Sequence, residues 1–169
     1  MGNHFTILIP SYNNQNWVGR CLGSALKQDY ENYDVVYIND SSTDSTSEEV
    51  DRVVGEIKTN AEVVIINNKE NKKALCNLYN SIIDSKSGTI IVTLDGDDWL
   101  PNDQVLNKLN KIYSNTDVWM TAGSYIDNVM GSVSSPNVDS DYWSGNIRMK
   151  PWTISHLRTF RKELFEKIN

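Results

Sequence analysis

The sequence predicts an α/β fold in which helices flank a doubly wound, mostly parallel sheet. Three observations carry this. Short β-branched and apolar runs alternate strictly with helix-length amphipathic stretches over the first hundred residues. The run Ile90-Ile91-Val92-Thr93-Leu94 is apolar on both faces, as a parallel strand covered by two helical layers must be. Polar, turn-forming residues follow each run, at the edge where open α/β sheets bind ligands.

Phe5–Ile9 reads as the first strand, stopped by Pro10, which cannot donate to a ladder. Ser11-Tyr12-Asn13-Asn14 supplies turn and N-cap chemistry to a helix bearing Trp17, Cys21, Leu22, Ala25 and Leu26 on one face. Val35–Ile38 is the second strand. It ends in a polar loop whose Ser45-x-x-Glu48 is a capping-box signal, and Val50, Val53, Val54 and Ile57 form the next buried stripe. Val63–Ile66 is the third strand. A helix with Leu75, Leu78, Tyr79, Ile82 and Ile83 at three- and four-residue spacing follows, terminated by Gly88.

After the fourth strand, Pro101 suits the first turn of a helix carrying Val105, Leu106, Leu109, Ile112 and Tyr113. Val118–Thr121 and Tyr125–Val129 suggest two strands, antiparallel about Gly123. Residues 131–146 are loop-like in composition. Leu157, Phe160, Leu164, Phe165 and Ile168 then show helical spacing.

The fourth strand runs directly into Asp95-Gly96-Asp97-Asp98. Three carboxylates at the carboxyl end of a buried strand repel one another unless a cation or protons offset them. A hard divalent ion, Mg²⁺ or Mn²⁺, carrying a phosphate is the economical solution. The alternative is a solvated turn with a helix-capping aspartate. Ser11 to Asn14, Asp40 and the Asp95–Asp98 cluster all stand at successive strand ends, so a parallel sheet brings them to one edge. A carboxylate such as Asp40, a pure acceptor, suits a ribose hydroxyl or a base N–H, or else an ordinary Asx turn.

Composition excludes several classes. A length of 169 residues suits one domain with a single core. No run approaches the roughly 18 apolar residues of a membrane span, and no signal-peptide core opens the chain. The net charge of −6 leaves no broad basic surface for nucleic acid, although residues 148–167 are net positive. Cys21 and Cys76 lack C-x-x-C spacing and read as free, packed thiols, which points to a reducing, cytoplasmic setting. There is no G-x-G-x-x-G or Walker loop, no EF-hand pattern, and His4 and His156 are too far apart in sequence to suggest a zinc site.

Ile7-Leu8-Ile9-Pro10-Ser11-Tyr12-Asn13, Val36-Tyr37-Ile38-Asn39-Asp40-Ser41-Ser42-Thr43-Asp44 and Leu94-Asp95-Gly96-Asp97-Asp98-Trp99-Leu100 together resemble the GT-A (Rossmann-like) glycosyltransferases of family 2. The likeness is strong over residues 4–122 and weaker through Pro151-Trp152 and Ser155–Arg161, which resembles an acceptor-side segment. It implies a nucleotide-sugar donor, commonly UDP-linked, inversion at the anomeric carbon, and dependence on Mn²⁺ or Mg²⁺. It further implies that Pro10, Ser11, Tyr12 and Asn14 line the nucleoside side and Asp40 holds base or ribose. Asp95-Gly96-Asp97 is then the D-x-D element, with Asp95 towards the ribose and metal, Asp97 on the metal, and Asp98 in support. Gly96 would leave room for the diphosphate.

The organisation expected on this basis is a nucleotide-sugar-binding half over residues 1–122, with residues 123–169 beginning the acceptor side of the same domain. The glycan, lipid or protein acceptor is open. Two departures matter. Leu78-Tyr79-Asn80 stands where many members carry Ala-Arg-Asn, so a basic contact to the nucleotide is either missing or supplied by Lys72 or Lys73. The family's catalytic base falls in a segment expected beyond Asn169, which suggests a C-terminally truncated domain. Rival readings are a non-catalytic nucleotide-sugar or glycan-binding module of this fold, and a D-x-D aspartate phosphatase.

Overall fold

The computed structural model describes residues 2–134 and 155–168. Its main sheet has six strands in the order β3-β2-β1-β4-β8-β5. The strands β1 (Phe5–Ser11), β2 (Tyr33–Asn39), β3 (Glu62–Asn67) and β4 (Ile90–Thr93) are mutually parallel. The helices α1 (Val18–Leu26), α2 (Thr46–Glu56) and α3 (Lys73–Asp84) make the crossovers, and α4 (Val105–Tyr113) follows β4. The expected doubly wound parallel sheet is therefore present.

Side-chain alternation along the strands divides the core into two layers. Phe5, Ile7 and Ile9 of β1, Val35 and Tyr37 of β2, and Ile90 and Val92 of β4 pack against α1, α2 and α4. Leu8 and Ile91, on the opposite parity, pack with Ile82 of α3 and with Phe165.

Several expectations are corrected. β1 runs through Pro10 to Ser11. Leu94 N–H donates to Leu8 O, and Pro10 lacks the N–H for the next rung, where pairing with β4 ends, while pairing with β2 continues to Ser11↔Asn39. The capping box does not form, because Ser45 makes no side-chain cap and its own N–H, which Glu48 would take, donates to Gln15 Oε1 at 2.9 Å. Pro101 lies ahead of α4 rather than in its first turn. Ser85, not Gly88, closes α3, bonding Ile82 O through its hydroxyl at 2.7 Å. Of the α3 stripe only Ile82 is buried, whereas Leu75, Tyr79 and Ile83 are exposed. Cys21 is buried but Cys76 is exposed.

The largest correction concerns the C-terminal segment. Ser155–Arg161 is not helical but forms β8, inserted antiparallel between β4 and β5 (Met120–Gly123). Only Lys162–Glu166 is helical, as α5. Leu157 and Phe160 serve opposite faces of the sheet, a period-2 pattern that their three-residue spacing disguised as helical. β5 and the short β6 (Tyr125–Ile126) do not pair around Gly123. β5 joins β8, and β6 pairs with β7 (Val133–Ser134). Most of the loop expected over residues 131–146, with Asp139, Asp141, Pro151 and Trp152, lies outside the described residues. Among the described residues, no helix is long and apolar enough to cross a membrane.

Candidate functional site

The carboxyl ends of β1, β2 and β4 meet as the topology requires, and their loops are laced together. Asn14 N–H donates to Thr46 Oγ1, Gln15 N–H to Asp44 Oδ2 and Thr43 N–H to Asn13 Oδ1. Ser11 is buried at the centre, its Oγ accepting from the Tyr37 hydroxyl at 2.7 Å and from Asn14 Nδ2 at 3.1 Å. Tyr12 projects from this edge with about half its surface exposed (47%).

Gly96 sits directly on that pair. A Cβ there would lie 2.6 Å from Asn14 Nδ2 and 2.8 Å from Ser11 Oγ. The glycine is thus required by contact between the β4 and β1 loops, a nearer reason than room for a diphosphate. The turn closes through Asp98 N–H to Asp95 O at 3.0 Å. Beyond it, Trp99 stacks on Trp17 with centroids 6.1 Å apart, Arg20 lies over the Trp99 ring, and Leu100 N–H donates to Ser24 Oγ. The acid turn is therefore held on both flanks by α1 and the loop before it.

Asp40 is 3% exposed, and its carboxylate accepts from Asn68 Nδ2 and from the backbone N–H groups of Lys72 and Lys73. Burial raises its pKa, but the donors from Asn77, Lys72, Asn68 and Lys73 outweigh it and hold the carboxyl below the usual range. Lys73 adopts φ 71°, which turns the chain into α3 around this carboxylate. A cavity of about 310 Å³ adjoins it, lined by Ile38, Ile66, Asn68, Lys72 and Asn77 among others.

The acid cluster gains partners that sequence reasoning did not place there. β8 pairs Arg158 with Thr93, so the residues before it run beside the Asp95–Asp98 turn. His156 Nε2 lies 2.7 Å from Asp95 Oδ2, and its Nδ1 lies 3.5 Å from Asp98 Oδ2. Arg158 Nη2 reaches the same Asp95 oxygen at 3.3 Å. Gly123 lets β5 back closely onto this segment, since a Cβ there would meet Leu157 N at 2.6 Å and His156 O at 2.8 Å.

Ligand atoms of Asp95, Asp98 and His156 all fall within 4.8 Å of one another. Two carboxylates and an imidazole form a donor set that fits a divalent ion, and the imidazole favours a transition ion over Mg²⁺. Asp97 is exposed and stands outside this trio. Burial pushes the Asp98 carboxyl up, His156 opposes the rise, and the Asp97 and Asp95 charges add to it. Burial, followed by the three aspartates, also pushes up the Cys21 thiol beneath the turn, so Cys21 is a packing residue and not a thiolate.

The chain matches the family profile described as Glycosyl transferase family 2 over residues 6–168. It is 31% identical over 107 residues to Glycosyltransferase GlyA of Streptococcus pneumoniae, an overlap covering 63% of this chain and 15% of that protein. Chondroitin synthase of Pasteurella multocida is 36% identical over 100 residues, covering 59% of this chain and 10% of the relative. Mannosyltransferase PcManGT from Pyrobaculum calidifontis, solved in complex with GDP-Man and Mn²⁺, superposes with a TM-score of 0.75 at 18% identity, over 100% of this chain and 47% of that one. S. aureus TarS in complex with UDP gives 0.74 at 17% identity, over 98% of this chain and 48% of that one. At such identities the solved structures speak for the fold. The chain spans just under half of each of those structures and a smaller share of the two relatives.

Proposed function

The chain belongs to glycosyl transferase family 2, and on that premise we propose that it binds a nucleotide-sugar donor at the carboxyl edge of β1, β2 and β4. The donor is UDP-linked, and its sugar passes to an acceptor hydroxyl with inversion. The observation that carries this is the convergence of Asp95, Asp98 and His156 beside Ser11 and Asn14. Support comes also from the neighbours' contents, GDP-Man with Mn²⁺ in one and UDP or UDP-GlcNAc in the other.

In this reading Pro10, Ser11 and Tyr12 line the nucleoside, with Asn14 holding the loop beneath it. Asp40 shapes the base side by fixing the loop into α3. Asp95, Asp98 and His156 hold Mn²⁺, with Asp97 as the exposed member of the D-x-D element. When bound, the ion supplies positive charge against the diphosphate that departs. The chain's own part is to place that diphosphate at a rigid sheet edge, where orientation and preset dipoles lower the barrier. Residues 1–122 form the donor half and 123–169 begin the acceptor side. β8 is the exception, because His156 and Arg158 reach the donor half.

Calorimetry with UDP and UDP-sugars, with and without Mn²⁺, tests the proposal. Ion-dependent binding that Asp95→Ala abolishes is the expected result. Asp97→Ala then decides whether that carboxylate belongs to the ligand set, by weakening ion binding or leaving it intact. A parent chain that binds no nucleoside diphosphate with Mn²⁺ or Mg²⁺ sinks the reading.

A further inference from the structure

Among the described residues, Arg158 is a cation of the site whose bonding is incomplete. Its Nε is buried and has no hydrogen-bond partner. Its one side-chain contact to the acid cluster, 3.3 Å to Asp95 Oδ2, lies at the long end of hydrogen bonding, and that oxygen is already taken by His156 at 2.7 Å. A buried donor left unpaired is destabilising, yet the side chain as a whole is 38% exposed, so an acceptor arriving from outside can reach its guanidinium.

Three neighbouring cations are committed elsewhere. Arg20 lies over Trp99, and Arg161 bonds the carbonyls of Val118 and Tyr113. Lys162 is buried on Ile83 O and Ser85 O. Lys72, a candidate for the missing basic contact, stands by Asp40, to which it gives its backbone N–H.

The backbone of Arg158 is not free to drift. It sits in an interior strand, paired with Thr93 of β4 and Ala122 of β5, and Thr93 Oγ1 donates to its carbonyl at 3.2 Å. His156 and Arg158 both reach Asp95 Oδ2, so a ligand meeting one meets the other.

We propose that Arg158 is the phosphate-binding cation of this site, its guanidinium taking a diphosphate oxygen of the donor while Asp95 is engaged by the ion. This rests on the nucleoside-diphosphate reading above. A guanidinium presents a planar fork of donors that matches phosphate oxygens and stays charged at every working pH. It therefore supplies the contact that Tyr79 cannot supply from α3, and it does so from a strand on the other side of the acid turn.

The experiment titrates UDP and GDP in the presence of Mn²⁺, and Mn²⁺ alone, into the parent chain, Arg158→Ala and Arg158→Lys. Arg158→Ala should weaken the nucleoside diphosphate roughly 10- to 100-fold. Its affinity for Mn²⁺ alone should not fall, because Asp95 loses only a competitor. Arg158→Lys should recover part of the loss through its point charge. Unchanged nucleotide affinity in Arg158→Ala overturns the proposal. So does a parallel loss of Mn²⁺ affinity, which would make Arg158 a support for Asp95. A parent that binds neither nucleotide overturns the donor reading itself, and this inference with it.

Discussion

His156 Nε2 and Asp95 Oδ2 lie 2.7 Å apart although 61 positions separate them in the chain. Asp95 ends a strand that any reader of the sequence would find, whereas His156 comes from one that the sequence disguises. The carboxylate at the heart of the acid turn is thus oriented by β8 and not by its own loop.

His156→Ala should consequently lower Mn²⁺ affinity by at least roughly 10- to 100-fold, the loss typical of removing a group that orients a metal site. Electron paramagnetic resonance of free Mn²⁺ reads this directly, with circular dichroism as the check on folding. His156 is about one-third exposed, so the substitution should leave thermal stability little changed. Unaltered Mn²⁺ affinity would remove the imidazole from the donor set.

The donor half of this arrangement is legible in the sequence because its residues are local to strand ends. Ser11, Asp40 and Asp95–Asp98 follow apolar runs, and a parallel sheet leaves such positions only one edge to occupy. His156 and Arg158 are hidden because their placement depends on β8 pairing with β4, a contact between residues more than sixty positions apart. Leu157, Phe160 and Leu164 satisfy a helical period by accident of spacing, and only the alternation of His156, Arg158 and Phe160 against Leu157 and Thr159 hints at a strand. The role of Asp40 is masked differently. Its type and position are read correctly, but its bonds to Asn68, Lys72 and Lys73 exist only once the loop has folded.

Asp40→Asn offers a pH test. The folded state holds this carboxyl below its ordinary 3.8, so the ionised form contributes stability. That contribution is fully present above about pH 4 and fades as pH falls through the lower folded value. Asparagine keeps the shape but turns a donor towards either the Lys72 or the Lys73 N–H, which bond different oxygens of Asp40, so roughly 1–3 kcal/mol should be lost at pH 7. Urea unfolding of both proteins at pH 7, 5 and 3 should show the gap constant between the first two and smaller at the last. A pH-independent gap would mean that the charge is not what matters.

Gly96→Ala should be destabilising by about 1–3 kcal/mol, because the new Cβ would lie 2.9 Å from the Cβ of Ser11 on a buried strand. Asn14 can swing away, whereas Ser11 is fixed by Tyr37 and by its ladder bond to Asp40. Adding Asn14→Ala should relieve only part of the loss. Full recovery in the double variant would place the conflict at the flexible amide alone.

Thr159 ties this strand into the sheet, and its removal should couple stability to the site. It is 1% exposed, and its Oγ1 lies 2.7 Å from both the Tyr113 hydroxyl and Thr121 Oγ1. Thr159→Val conserves shape but removes the hydroxyl that joins α4, β5 and β8. The buried Tyr113 hydroxyl and the half-buried Thr121 hydroxyl then each lose a partner, at a cost of about 1–3 kcal/mol. Because Thr159 adjoins Arg158 and stands three residues from His156, looser β8 pairing should also weaken Mn²⁺ binding. The expected pattern is a lower unfolding free energy together with reduced Mn²⁺ affinity, in contrast to His156→Ala, where affinity falls and stability does not. Urea unfolding with and without Mn²⁺ separates the two. If Thr159→Val matches the parent in both, the three-hydroxyl cluster does not hold the strand.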